Sequence, residues 1–357
     1  MGRLVRALIL LLALPACWAA DWSSLDRYQR SVTLTEFVSL LTNVYDTGGT
    51  LAGCLTYGSN SVTICSTPPY TLHFANSSLL ARPLRFKRIA LDPGHIGGEW
   101  ARMEERFFAR GRDRPVQEAA LNLTVARLLK LQLEAAGVTV VLTKNDFRPV
   151  SDKRPEDFRV QAEREVPASE DEANRADAVR KRQELLFYRT AEIAARAQLV
   201  NERLKPDLTI CIHFNAVEWN DCHDLVDDNR NIVFIHGDYL PGELADDDQR
   251  LRLFQKLLAG VYSAELTIAE SLAASLARAT GLQSTVRPRN LAANRLYNGP
   301  VVYLEPYYMN NRTVYKRIQL GDYDGEKEVD GKPVKSIFRE YADAVMDGLQ
   351  PFLAPHN

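Results

Sequence analysis

From Phe86 onward the chain alternates short apolar, β-branched runs with longer stretches of helical periodicity, and this alternation narrows the possible folds more than any other feature. Arg88–Leu91 reads as a short strand ending in Asp92-Pro93-Gly94-His95. Glu118–Ala136 places Leu121, Val125, Leu128 and Leu129 on one helical face, and Gly137 stops it. Val138–Thr143 is a β-branched strand, 176–204 a long charged helix, and Leu208–His213 another apolar strand. Ile232–His236, a helix over 262–280, the strand Val301–Glu305 and a helix near 338–349 complete the series. Strands separated by helices imply an α/β fold: a mostly parallel or mixed central sheet flanked by helices on both faces. Such sheets take their ligands at the C-terminal ends of strands.

Residues 21–85 have another texture, rich in Thr, Ser, Leu and Tyr, with turn signals at Thr47-Gly48-Gly49 and Tyr57-Gly58. One short helix over Leu34–Val44 and β-like runs at Ser61–Ile64 and Thr71–Phe74 suggest a small α+β N-terminal domain. Residues 86–357 form the large domain. Two stretches interrupt its pattern and read as insertions: 147–175, rich in Pro and charge, and 217–250, with ten acidic and two basic residues.

Residues 1–20 have the layout of a signal peptide: Arg3 and Arg6, an apolar run from Ala7 to Ala16, then small residues at Ala19 and Ala20. The expectation is export to the bacterial periplasm or cell envelope. Leu14-Pro15-Ala16-Cys17 also resembles a lipobox, so Cys17 is a candidate lipidation site and the one feature that would tether the chain to a membrane. Of the five cysteines, this leaves four as candidates for disulfides in an oxidising compartment. Cys54 and Cys65 flank a Gly/Ser/Asn turn and could staple a hairpin. Cys211 and Cys222 have the same separation, but Cys211 lies in an apolar run and reads equally as a buried hydrophobe. With 44 basic against 46 acidic residues, nothing favours nucleic acid as a partner.

The ends of the strands carry the chemistry. His95 follows the first strand of the series, His213 closes the third, and Glu305 closes a late one. Two imidazoles and carboxylates on one sheet edge are what a catalytic zinc site requires, with three ligands and one open position for water. No HExxH helix is present, which removes the standard zincin arrangement. His236, at the end of another strand, is a reserve ligand.

The order of motifs resembles the zinc-dependent N-acetylmuramoyl-L-alanine amidases with an Amidase_3-type catalytic domain. The likeness runs through Ile89-Ala90-Leu91-Asp92-Pro93-Gly94-His95 with Gly97-Gly98, then Glu118 leading Ala119-Ala120-Leu121-Asn122-Leu123. It continues through Arg196, Asn201 and Asp207–Ala216, and ends at Pro300–Glu305 with Asn310 beyond, spanning about 86–312. The resemblance implies one Zn²⁺ bound by His95, Glu118 and His213, with Glu305 as the catalytic carboxylate. Glu99, Glu104 and Glu105 lie nearer His95 in sequence and are the rival carboxylates. Asp92 and Asn215 are candidates for orienting the histidines, or else simple turn formers. Glu305-Pro306-Tyr307-Tyr308 stands where the family usually has Glu-x-Gly-Phe.

The implied substrate is peptidoglycan, cut between N-acetylmuramic acid and L-alanine. Two other readings stay open: a zinc peptidase or amidase acting on another envelope peptide, and a non-catalytic wall-binding protein on the same fold. Within the resemblance, 147–190 or the acidic 217–250 stretch could cover the zinc until a protein activator relieves it.

Overall fold

The computed structural model describes residues 20–78, 84–168, 171–217 and 225–353, so the proposed signal peptide with Cys17 and also Cys222 lie outside the described residues. Helix α1 (Leu34–Leu40) starts on a capping box between Thr33 and Glu36 and runs on into a wide turn over Leu41–Tyr45. Strands β1 (Leu55–Tyr57), β2 (Ser61–Ile64) and β3 (Tyr70–His73) follow as an antiparallel meander. A disulfide joins Cys54 to Cys65 across the open end of the β1–β2 hairpin, as their spacing suggested.

The central sheet consists of β4 (Arg88–Pro93), β5 (Thr139–Leu142), β6 (Leu208–Ile212), β7 (Asn231–Ile235), β8 (Ser284–Pro288) and β9 (Val301–Pro306). Their order is β8-β7-β9-β6-β4-β5, and every neighbouring pair is parallel except β7 and β9. The sheet is therefore mixed, one of the two alternatives expected. Cys211 is a buried free thiol inside β6, which agrees with the reading as a core hydrophobe; Cys222, its candidate partner, lies outside the described residues. The stretch 217–250 is more than an acidic loop, because it contains β7.

Five helices matter to the site: α2 (Glu118–Ala135), α3 (172–204), α4 (Asp247–Leu258), α5 (Tyr262–Thr280) and α6 (Ile337–Leu349). Strand parity sorts the side chains into two layers. Ile89, Leu91, Ile210, Ile212, Val302 and Leu304 join the core beneath α2, α5 and α6. On the other face Cys211, Val301 and Tyr303 pack with Ala197 and Val200 of α3. Helix α3 is continuous but contains two wide, π-type turns, Leu186–Ala191 and Leu199–Leu204, and stops at Lys205 in the left-handed region.

Residues 21–78 do not form a separate core. Trp22, Phe37 and Phe74 cluster with Leu251, Phe254 and Leu257 of α4. Among the described residues no single helix is long and apolar enough to cross a membrane.

Candidate active site

Pairing register decides which residues meet. Pro93 lies opposite Ile212, and Ile212 opposite Leu304, so β4, β6 and β9 end together. His95, His213 and Glu305 are therefore carried to one edge of the sheet. Glu118, the first residue of α2, approaches the same edge, where a carboxylate also suits the positive end of a helix. One nitrogen from each of His95 and His213 and one oxygen from Glu118 all lie within 4.8 Å of one another. His95 Nε2 is 3.1 Å from Glu118 Oε2, and His213 Nδ1 is 2.9 Å from Glu118 Oε1. Glu305 borders the same cavity as the two histidines, which measures about 1040 Å³.

Local backbone makes this convergence possible. A Cβ on Gly94 would lie 1.9 Å from His213 Cε1, so only glycine lets the β4 loop pass beside that ring. His95 itself has φ +63°, a strained conformation for a non-glycine residue and one that turns its ring toward Glu118. The His213 ring stacks on Tyr303, with centroids 4.2 Å apart.

Glu104 takes the other side of His95, with Oε1 3.5 Å from Nδ1, and its carboxylate accepts from the Ile96 and Gly97 amides. Of the three rival carboxylates, only Glu104 is buried; Glu99 and Glu105 are exposed. Arg106 Nε lies 3.1 Å from Glu118 Oε2. The sequence offered no signal for Arg106, and Glu104 stood out only as a neighbour of His95.

Asp92 does not touch either histidine through a hydrogen bond. It accepts from Arg196 Nη1 at 3.1 Å, from the Tyr297 hydroxyl at 2.6 Å, and from the Thr143 hydroxyl. Arg196 also donates to the Pro93 carbonyl at 3.1 Å and the His95 carbonyl at 2.8 Å, so Asp92 acts on the His95 loop through Arg196. Asn215 has the simpler role: its side chain accepts from the Ala216 amide, and among the described residues no hydrogen bond joins it to a histidine. His236, the reserve ligand, is buried elsewhere and bonds to the Tyr239 hydroxyl.

Electrostatics separate the two carboxyls Glu118 and Glu305. Burial opposes ionisation of Glu118, but the two histidines outweigh it and hold its carboxyl well below the usual range. Burial likewise opposes charge on His95, yet Glu118 and Glu104 raise its pKa to about 9. Burial lifts Glu305 to about 7, with the Glu118 charge adding to the effect. Burial depresses His213 despite Glu118 beside it.

The α/β sheet thus carries at its strand ends an imidazole–carboxylate–imidazole group that could hold a metal ion, in the place where such sheets take their ligands. Residues 89–328 match the sequence profile of the N-acetylmuramoyl-L-alanine amidases (Amidase_3), and the chain belongs to that family. Hydrolysis of amides in the cell wall is the activity that comes with membership. No curated protein matches the chain. Among solved structures, it is similar to the catalytic domain of the amidase CwlV from Bacillus (Paenibacillus) polymyxa var. colistinus, with 19% identity and a TM-score of 0.43 over 74% of this chain and 96% of that one. The CwlD amidase of Clostridioides difficile, solved in complex with the GerS lipoprotein, gives 18% identity and a TM-score of 0.43 over 74% and 98%. The amidase AmiC2 of Nostoc punctiforme gives 15% and 0.40 over 74% and 94%.

Proposed function

We propose that this chain is a zinc-dependent amidase that hydrolyses the bond between the lactyl group of N-acetylmuramic acid and the L-alanine of the stem peptide. The observation that carries the reading is the convergence of His95, Glu118 and His213 at the strand ends, with Glu305 in the same cavity. The donor set suits zinc: bonds of about 2.0–2.2 Å on a tetrahedron give donor–donor edges of roughly 3.3–3.6 Å. His95 and His213 meet Glu118 through different carboxylate oxygens, at 3.1 and 2.9 Å, and one donor atom from each of the three residues lies within 4.8 Å of the others, close enough for small shifts to close around one ion. When bound, the metal supplies Lewis acidity for the carbonyl and lowers the pKa of its water to about 7.

The chain's own residues do the rest. Glu104 fixes the face of His95 that turns away from Glu118. A carboxyl with a pKa near 7, as at Glu305, can take a proton at one step and return it at the next. The acceptor of that proton is the departing alanine nitrogen.

Glu305→Gln should lower turnover of purified peptidoglycan by about 10²–10⁴-fold while the zinc content stays at one per chain. Retention of most activity would remove Glu305 from the chemistry. His95→Ala and His213→Ala should instead lose the metal, and chelation should abolish activity until zinc is restored. The products separate the readings: stem peptides freed from glycan support the amidase, cleavage of free peptides supports the peptidase, and binding without products supports the wall-binding protein.

A regulatory role for 147–190 also belongs here. Leu186, Tyr188 and Arg189 of α3 border the cavity, which supports the idea that a protein partner could act by shifting this helix. No carboxylate of that segment joins the His–Glu–His group among the described residues, so a fourth ligand from it is not part of the proposal. Export, with or without lipidation at Cys17, rests on residues 1–20 alone; mass spectrometry of the mature N-terminus tests it.

A further inference from the structure

The cavity containing His95, His213 and Glu305 extends well beyond what one scissile amide requires. Four residues of α4 at helical spacing, Asp248, Gln249, Arg252 and Gln255, also border it, together with Arg295 and Ser24. Helix α4 gives its apolar side, including Leu253, Phe254 and Leu257, to the cluster shared with the N-terminal region. It therefore turns a charged and amide-bearing side inward, onto a chamber joined to the reaction centre.

The two arginines on that wall are oriented by amide side chains. Arg252 Nη1 donates to Gln255 Oε1 at 2.9 Å. Arg295 Nη1 donates to Gln249 Oε1 at 3.1 Å and to Asn290 Oδ1 at 2.8 Å. All of these acceptors are neutral amides, and neither arginine forms an ion pair among the described residues. Each guanidinium leaves Nε and Nη2 unspent, and a planar fork with free donors matches a carboxylate. Burial disfavours charge on Arg295, and Tyr239, Glu243 and Asp246 nearby offset this only in part, so an arriving anion favours the charged form. Besides the carboxyls already described around the histidines and Arg196, Asp21 and Asp248 border the same cavity. Asp21 is engaged by the Ser23 amide and hydroxyl. Asp248, one turn before Arg252, forms no ion pair among the described residues, and burial raises its pKa.

We propose that this inner wall is a subsite for a carboxylate of the stem peptide, held in fork geometry by Arg252 and Arg295. The inference rests on the amidase reading above and identifies the peptide portion of the substrate, beyond the alanine nitrogen, as the part that enters the chamber. Asp248 leaves a place for an ammonium group on the same peptide, which a simple inorganic anion cannot fill. The subsite thus favours a peptide bearing free carboxylates over its amidated form.

The test is calorimetric titration of the zinc-loaded full chain with the product tripeptide, L-alanyl-D-glutamyl-diamino acid, with its carboxylates either free or all amidated. The wild type should bind the free form at least about tenfold more tightly. The Arg252→Ala/Arg295→Gln variant should lose that preference with its zinc content unchanged. Arg252→Lys, which keeps the charge and removes the fork, serves if the double variant does not melt cooperatively; it should lose most of the preference. Equal binding of both peptides by the wild type, or an undiminished preference in the variants, overturns the subsite. Turnover of an N-acetylmuramoyl tripeptide is read separately. Turnover without discrimination defeats the subsite alone, whereas discrimination without turnover leaves the subsite standing and defeats the amidase reading.

Discussion

Gly94 is where backbone geometry and chemistry meet most closely. Its missing side chain is filled by the His213 ring, with Nε2 2.1 Å and Cε1 1.9 Å from where a Cβ would stand. Gly94→Ala must push that ring off Tyr303 and away from Glu118, so zinc affinity should fall by at least about tenfold with the overall fold kept. Competition with a metallochromic chelator and far-ultraviolet circular dichroism together check this. His95 gives a second prediction. In the metal-free protein its pKa is raised to about 9, so at pH 7 the ring is protonated and zinc must displace that proton. Apparent zinc affinity should then rise about tenfold per pH unit between 7 and 8, with release of close to one proton from this ring. Titrations in buffers of different ionisation enthalpy measure that release, and none being seen would exclude a charged His95. The sign for folding follows: because the folded pKa lies above the ordinary 6.5, the pairing with Glu118 stabilises the metal-free protein fully below about 6.5. That contribution fades as pH rises toward 9.

At the scale of elements, α3 governs the loop that carries His95. Arg196 ties Asp92, Pro93 and His95 to the helix, while Glu192, one turn earlier, accepts from Arg196 Nε at 2.8 Å and from the Ser151 amide at 2.9 Å. The β4 loop, the helix and the start of the 147–175 stretch are thereby joined through two buried charged residues. Arg196→Ala leaves Asp92 and Glu192 buried without their cation and should cost about 3–5 kcal/mol of stability. Arg196→Lys keeps the charge but cannot reach all four acceptors, and should recover stability better than zinc affinity. Denaturant unfolding with parallel metal titration separates the two effects; equal recovery of both would make Arg196 merely structural. How much of this was legible in sequence depends on the kind of signal. Strands β4, β6 and β9 were readable because burial on both faces writes them as continuous apolar runs, and a histidine or glutamate at such an end is conspicuous. Strand β8 left no such mark: Ser284–Pro288 is an edge strand with no buried residue. The contact of Glu104 with His95 was equally hidden, since it depends on left-handed backbone at His95, Gly97 and Gly98 that spacing does not reveal.

The whole molecule is tied together by the cluster that joins residues 21–78 to α4, and the same helix faces the cavity with its polar side. Composition changes near residue 85 and invites a boundary there, but a change of texture does not mean a change of core. Leu251, Leu253, Phe254, Leu257 and Leu258 are buried in the shared cluster. At about 1.5–3 kcal/mol for each large apolar side chain, uncovering all five would cost roughly 7–15 kcal/mol. That is the entire stability of an ordinary domain, about 5–15 kcal/mol. Removing residues 21–85 should therefore yield a chain that aggregates or melts without cooperativity, even though every proposed zinc ligand is retained. The full chain should unfold in one calorimetric transition, with the disulfide-stapled meander and the sheet melting together. Two resolved transitions, or a soluble and active truncated chain, would show instead that α4 can cover its apolar side unaided.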